Sequence, residues 1–100
     1  MNFEERVYKK LLSIPSGSIT TYGQLAREMG LVNGQRLIGR IMSRNPYPGI
    51  VPCHRVVCFD GKIGGYSMGG ESVKATMLQR EGISIKNGKI SDFEKYLYKF

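Results

Sequence analysis

The points at which a helix cannot continue constrain this chain more than any other feature. Pro15, Gly30, the pair Asn45-Pro46 and Gly82 interrupt an otherwise apolar-periodic sequence, so every helix it forms has to be short. Ahead of Pro15, Phe3, Val7 and Leu11, with Tyr8 and Leu12, recur at spacings of three and four, which predicts an amphipathic helix over about 2–13. Ser16-Gly17 supplies a turn. Thr21 followed by Gln24 matches a capping box, so a second helix is expected from Tyr22 to Met29, with Gly30 as its left-handed stop. A third is expected from about Gly34 to Arg44, ending before Asn45-Pro46. Two short helices joined by so brief a turn read as a helix-turn-helix.

The second half alternates short apolar runs with glycine. After the irregular Pro46-Tyr47-Pro48-Gly49, the run Arg55-Val56-Val57-Cys58-Phe59 reads as a strand closed by Asp60-Gly61. Gly64, Gly65, Gly69 and Gly70 make 62–70 a loop, and 71–80 is helical, with Val73, Met77 and Leu78 on one face. Ile83-Ser84-Ile85 and Lys89-Ile90-Ser91 flank Asn87-Gly88, a strong hairpin signal. Asp92 is placed to cap a last helix that buries Phe93, Tyr96, Leu97 and Phe100. The fold class expected is α+β and mostly helical: a winged-helix-like domain with a helix-turn-helix and a short β-hairpin. One hundred residues fit a single domain, 1–100, with one core.

Composition narrows the partners. No apolar run approaches the length of a membrane span, and the start Met1-Asn2-Phe3-Glu4-Glu5 has neither the basic nor the apolar stretch of a signal peptide. An intracellular, cytoplasmic protein is expected, nuclear in a eukaryote, with no membrane partner. The net charge of +7 favours a polyanion. On the third helix Arg36, Arg40 and Arg44 fall on one stripe, with Gly39 and Ser43 just beyond it, while Leu37, Ile38, Ile41 and Met42 face the core. Small residues let a helix approach a phosphate backbone closely while arginines engage it. The same stripe also reads as a merely solvated face; the helix-turn-helix setting and the net charge favour nucleic acid.

The chemistry-bearing segment is Pro52-Cys53-His54-Arg55-Val56-Val57. Cys53, His54 and Cys58 give three candidate metal ligands, and the neighbours Cys53 and His54 do not easily converge, so no metal site is expected. Without an export signal, free thiols are the better reading than a disulfide. A thiol attacks as its thiolate, and His54, the only histidine, with Arg55 supplies a base and positive charge beside Cys53 in sequence. From the residues alone, Cys53 is either that nucleophile or a buried structural cysteine. Cys58, between Val57 and Phe59, is expected in the core.

These residues resemble the O6-alkylguanine-DNA alkyltransferases. Pro52-Cys53-His54-Arg55-Val56-Val57 is similar to that family's active-site signature. It stands in the family's order behind Thr21-Tyr22-Gly23-Gln24-Leu25-Ala26, Arg36-Leu37-Ile38-Gly39 and Asn45-Pro46, and ahead of Gly64-Gly65-Tyr66-Ser67, Lys74 and Glu81-Gly82. The resemblance covers about 3–98 and corresponds to the C-terminal active-site domain alone, without the N-terminal domain that most relatives carry. It departs at Leu37, where many relatives have a smaller residue, and by one extra residue around Met68-Gly69-Gly70.

The resemblance implies roles for individual residues. Cys53 would be the alkyl acceptor, His54 a base acting through a water, and Glu81 the carboxylate orienting it. Arg36 would enter the base stack in place of the extruded nucleotide. Tyr22 would contact the flipped base and the neighbouring phosphate, and Asn45 would brace the turn leading to the active-site loop. Val56, through its carbonyl, and Ser67, through its N–H, would hold the guanine edge, with Tyr66 lining the pocket; Gly39, Arg40, Ser43 and Arg44 would meet DNA. The implied activity is single-turnover transfer of an alkyl group from O6-alkylguanine in double-stranded DNA to Cys53, by a monomer without a cofactor. The alternatives are an alkyltransferase-like lesion sensor, a class that lacks the acceptor cysteine, and a winged-helix DNA binder with an inert Cys53.

Overall fold

The computed structural model describes residues 1–47 and 49–100, so the expectation for Pro48 lies outside the described residues. Helix α1 spans Phe3–Leu12. Its N-cap Asn2 accepts from the Glu5 N–H at 2.8 Å, Glu4 and Glu5 sit at the positive end of the helix dipole, and Lys9 and Lys10 sit at the negative end. Val7, Tyr8 and Leu11 form the buried stripe, and the Tyr8 hydroxyl donates to the Ile41 carbonyl at 2.9 Å, tying α1 to α3. Strand β1, Thr20–Thr21, runs directly into α2, Tyr22–Glu28, and the Thr21 hydroxyl caps α2 by accepting from the Gln24 N–H at 3.0 Å. The capping box is only half formed. The Gln24 side chain donates at 2.9 Å to the Tyr98 carbonyl instead of returning to the cap, and so pins the C-terminal segment.

Gly30 takes φ +78 after α2, and α3 spans Gln35–Ser43, completing the helix-turn-helix. Ile38, Ile41 and Met42 are its buried face. Leu37 is not part of it and is 40 % exposed. At about 100° per residue Leu37 stands roughly a quarter-turn from the centre of that face and joins the solvent side with the arginines.

The strand expected over Arg55–Phe59 is reduced to β2, Val56–Val57, which pairs in parallel with β1 in the register Thr20↔Val56 and Thr21↔Val57. Cys53–Arg55 before it is a 3₁₀ turn, and Cys58 after it opens a reverse turn in which its N–H bonds to the Lys62 carbonyl at 3.0 Å. Side chains alternate across a strand, so Val56 enters one cluster with Val7, Leu11, Leu25, Ile38 and Cys53, while Val57 enters another with Ile19, Ile63, Leu78, Ile83 and Ile90. The one core expected from length is thus two clusters meeting at β2.

Helix α4 spans Gly70–Arg80 and buries Lys74 and Leu78, whereas Val73, expected inside, is 40 % exposed. Strands β3, Ile85–Lys86, and β4, Lys89–Ile90, form the expected hairpin, with Asn87 at φ 54 and Gly88 at φ 75 in its turn. The last helix is a single turn, α5, Phe93–Tyr96. Asp92 does not cap it, because it is held in the left-handed conformation where the chain leaves the hairpin. Phe93, Tyr96 and Leu97 lie half-buried against the second cluster and Phe100 is exposed. No helix is long and apolar enough to cross a membrane among the described residues.

Candidate functional site

The β1–β2 ladder positions the site. It sets Tyr22, the first residue of α2, just beyond Thr21, and Cys53 three residues before β2 on the adjoining 3₁₀ turn. Between them opens a pocket of about 400 Å³ lined by Tyr22, Gly39, Met42, Ser43, Cys53, Gly65, Tyr66 and Ser67. Helix α3 contributes one wall through small residues: a Cβ at Gly39 would meet nothing within 4 Å, so its absence leaves the wall low. Cys53 is only 5 % exposed, at the base of this opening.

Behind Cys53 the side chains form a fixed chain of contacts. His54 is 3 % exposed, and its Nε2 lies 2.8 Å from Glu81 Oε2, which projects from the end of α4. Arg55 grips the same carboxylate twice, Nε to Oε1 at 2.9 Å and Nη2 to Oε2 at 2.7 Å, and spends Nη1 on the Ile14 carbonyl at 2.8 Å. Burial by itself raises the Glu81 carboxyl, but the hydrogen bonds from Arg55 and His54 outweigh it and hold the group below its usual range. An ionised carboxylate only accepts, so His54 Nε2 carries the proton toward it and Nδ1 of the neutral ring is left with the lone pair. Nδ1 is buried and has no hydrogen-bond partner among the described residues. The arrangement is a base whose outer face is fixed by a carboxylate and whose inner nitrogen is free.

Two expectations are corrected here. Arg55 does not support the thiol; it is turned away into the Glu81 pair. Cys58 is not the hidden sulfur: it lies outside the strand and is half-buried, whereas Cys53 is the buried one. Both are free thiols.

Lys74 was not singled out for a role by sequence reasoning. It is wholly buried, and its Nζ donates to the Tyr22 hydroxyl at 3.3 Å and the Gly65 carbonyl at 3.2 Å. Burial lowers its pKa to about 8, against smaller opposing contributions from Cys58, Cys53 and Glu71. Burial likewise raises Tyr22 to about 12, with Cys58 and Cys53 adding to the shift, so Tyr22 stays a protonated donor. Tyr66 is raised by burial and then by Cys53. An apparent surface lysine on a helix gives no sequence signal of burial; only its place in the ordered motif blocks marks it.

The remaining residues fall as follows. Asn45 donates from Nδ2 to the Val51 carbonyl at 3.0 Å and accepts from the Tyr47 N–H at 2.9 Å, so it joins the end of α3 to the segment leading to Cys53. Tyr66 and Ser67 line the pocket. Val56 does not; its side chain is fully buried, so a contact from it comes through its backbone. Arg36, Arg40 and Arg44 are exposed along α3 beside Ser43, and Arg44 is within 3.8 Å of Glu4.

A helix-turn-helix with an arginine-lined outer face, set over a pocket whose base is a thiol beside a carboxylate-held histidine, defines the class of the fold. Residues 2–83 match the family model described as "6-O-methylguanine DNA methyltransferase, DNA binding domain". The chain belongs to the 6-O-methylguanine DNA methyltransferase family. It is 40 % identical over 92 residues to the methylated-DNA–protein-cysteine methyltransferase of Cricetulus griseus, covering 91 % of this chain and 44 % of that protein. S. pombe Atl1, in complex with damaged DNA containing O6-carboxymethylguanine, superposes with a TM-score of 0.83 at 30 % identity, covering 97 % of this chain and 94 % of Atl1. Mycobacterium tuberculosis OGT in complex with DNA superposes with a TM-score of 0.77 at 40 % identity, covering 82 % of this chain and 49 % of OGT. The chain spans less than half the length of the curated relatives it matches.

Proposed function

We propose that this chain repairs O6-alkylguanine in double-stranded DNA by transferring the alkyl group to Cys53, and that residues 1–100 act as one domain, the family's active-site domain. The observation that carries the reading is the pocket with Cys53 at its base and, behind it, His54 held by Glu81 at 2.8 Å with Nδ1 unpaired. A guanine O6 inside a stacked duplex is out of reach, so the base must leave the stack, at a cost of a few kcal/mol. Arg36 on the exposed face of α3 fills the gap, and Gly39 and Ser43 let the helix seat close to the duplex. Tyr22 contacts the flipped base and the adjoining phosphate; Ser67 N–H and the Val56 carbonyl hold the guanine edge, and Tyr66 lines the wall.

The chemistry balances without a cofactor. His54 Nδ1 takes the Cys53 proton through a water; the thiolate sulfur bonds to the alkyl carbon as the carbon–O6 bond breaks. The electron pair of that bond stays on guanine, which takes up a proton and leaves as the normal base. The product thioether is stable, so each protein, acting as a monomer, reacts once. The reaction belongs in the compartment that holds DNA.

A second reading, a lesion sensor without transfer, is favoured by the near end-to-end match to Atl1, a non-transferring relative. Cys53 argues against it. The test is to incubate the protein with duplex carrying O6-methylguanine and to weigh it intact. A gain of one methyl, mapped to Cys53, supports transfer; tight binding with unchanged mass supports the sensor.

A further inference from the structure

A second groove lies on the other side of Tyr22. It measures about 270 Å³ and is bounded by Tyr22, Cys58 and Phe59, with Gln35 and Lys62 at its rim. Phe59 is 84 % exposed. Single exposed apolar residues are ordinary on protein surfaces, so exposure alone decides nothing. What sets Phe59 apart is how it is held and what it adjoins. The turn that presents it is closed by Cys58 N–H to Lys62 carbonyl and Gly61 N–H to Cys58 carbonyl, both at 3.0 Å, and by Lys62 N–H to Asp60 Oδ1 at 3.1 Å. Lys62 is in turn bridged to Lys89 of the hairpin. The ring therefore stands on a braced turn.

Its neighbours belong to the acceptor site. Tyr22 is a wall of both openings, and α3 borders both, with Gln35 at this groove and Gly39 and Ser43 at the pocket. A strand whose flipped base enters the pocket past Tyr22 has its next nucleotide carried along α3 toward Gln35, Arg36 and the groove. Arg36 and Lys62 supply positive charge there, and the one carboxylate on the rim, Asp60, is engaged by the Lys62 ammonium at 3.9 Å.

Building on the proposed repair function, we infer that Phe59 is a further DNA-contacting residue: the groove takes the nucleotide adjacent to the flipped one, on the same strand, by stacking on the Phe59 ring. Aromatic stacking on bases tolerates any sequence, as repair in arbitrary context requires. The free modified base has no neighbouring nucleotide and gains nothing from Phe59.

The full chain is compared with Phe59→Ala and Phe59→Trp, using duplex containing O6-methylguanine and free O6-methylguanine base. Phe59→Ala should weaken duplex binding and slow duplex repair by about fivefold or more, the lower end of what loss of one stacking platform costs. Reaction with the free base should be unchanged, and Phe59→Trp should restore the duplex rate. The chain has no tryptophan, so the emission of Phe59→Trp reports on this site alone and should be quenched when the duplex binds. Equal behaviour of Phe59→Ala and the parent on duplex, or unquenched emission, overturns the inference. So does loss of a dimer in sedimentation with duplex binding intact, since the groove would then serve a second copy. If the parent protein binds the lesion duplex but takes no methyl, the transfer reading fails, and duplex affinity and quenching still decide the role of Phe59.

Discussion

Cys53 and Cys58 differ in what surrounds them more than in how far they are buried. Cys53 opens to the pocket and has His54 after it, while Cys58 faces the Phe59 groove without a base in contact. Excess O6-methylguanine duplex should therefore label Cys53 once and leave Cys58 unlabelled on peptide mapping; label on Cys58, or continued turnover, would sink the transfer mechanism. Glu81→Gln tests the support. It removes the charge that fixes the His54 tautomer and strands the half-buried Arg55 guanidinium, so transfer should slow at least tenfold and stability should fall by roughly 2–4 kcal/mol. The parent should also lose its advantage over Glu81→Gln in acid. The folded Glu81 pKa lies below the unfolded value of 4.5, so its stabilisation is complete above that value and lost as pH falls through the folded one. Denaturant midpoints at pH 7, 5 and 3 check this, and a constant gap between the two proteins across that range contradicts it. At this scale Cys53, His54 and Glu81 were legible through motif order. The Arg55–Glu81 pair and the Lys74 contacts were not, because they join residues 26 and 52 positions apart from their partners with no local pattern.

Among the elements, α3 carries the clearest test. Its exposed arginines should release counterions on binding, so duplex affinity should fall steeply with salt and depend little on sequence. Arg40→Ala should reduce the log–log salt slope by about one. Arg44→Ala should do less, because Arg44 already lies 3.8 Å from Glu4 and exchanges one anionic partner for another. A titration series from low to physiological salt resolves the two, and a flat dependence for the parent would remove the phosphate reading. Arg36→Ala should slow repair in duplex far more than reaction with the free base; an equal loss on both would remove its wedge role. Elements with their own local signals were readable in advance: α1 from its period, α2 from Thr21 and Gly30, and the hairpin from Asn87-Gly88. The elements set by distant contacts were not. Val56–Val57 is a strand only where Thr20–Thr21 pairs with it, and α4 turns Lys74 rather than Val73 inward because Tyr22 and Gly65 receive its ammonium. Asp92 has the composition of a cap, but the exit from the hairpin sets its backbone.

For the whole molecule, Lys74 connects α4, the glycine-rich loop and the start of α2 through one ammonium group. Holding that proton inside costs free energy: the pKa falls from 10.5 to about 8. The folded value lies below the unfolded one, so the penalty is full below pH 8 and is relieved as pH climbs toward 10.5. The tyrosines act with the opposite sign. Tyr22 is raised from 10.0 to about 12, so it stabilises fully below pH 10 and loses that contribution as pH rises toward 12. Global stability should therefore gain an alkaline increment from Lys74 between about pH 8 and 10 and lose stability above it. Lys74→Met separates the two. At pH 7 it removes a buried charge penalty of up to roughly 3 kcal/mol, while leaving the Tyr22 hydroxyl and the Gly65 carbonyl without a partner, which costs about 1–2 kcal/mol. The variant should be as stable as the parent at pH 7, or more so, and less stable at pH 9.5, where the parent's amine is neutral and still bonded. Urea midpoints of the two proteins at both pH values give the answer. Parallel shifts would mean that Lys74 reaches solvent in the folded protein, and the link it makes between α4 and Tyr22 would fall with it.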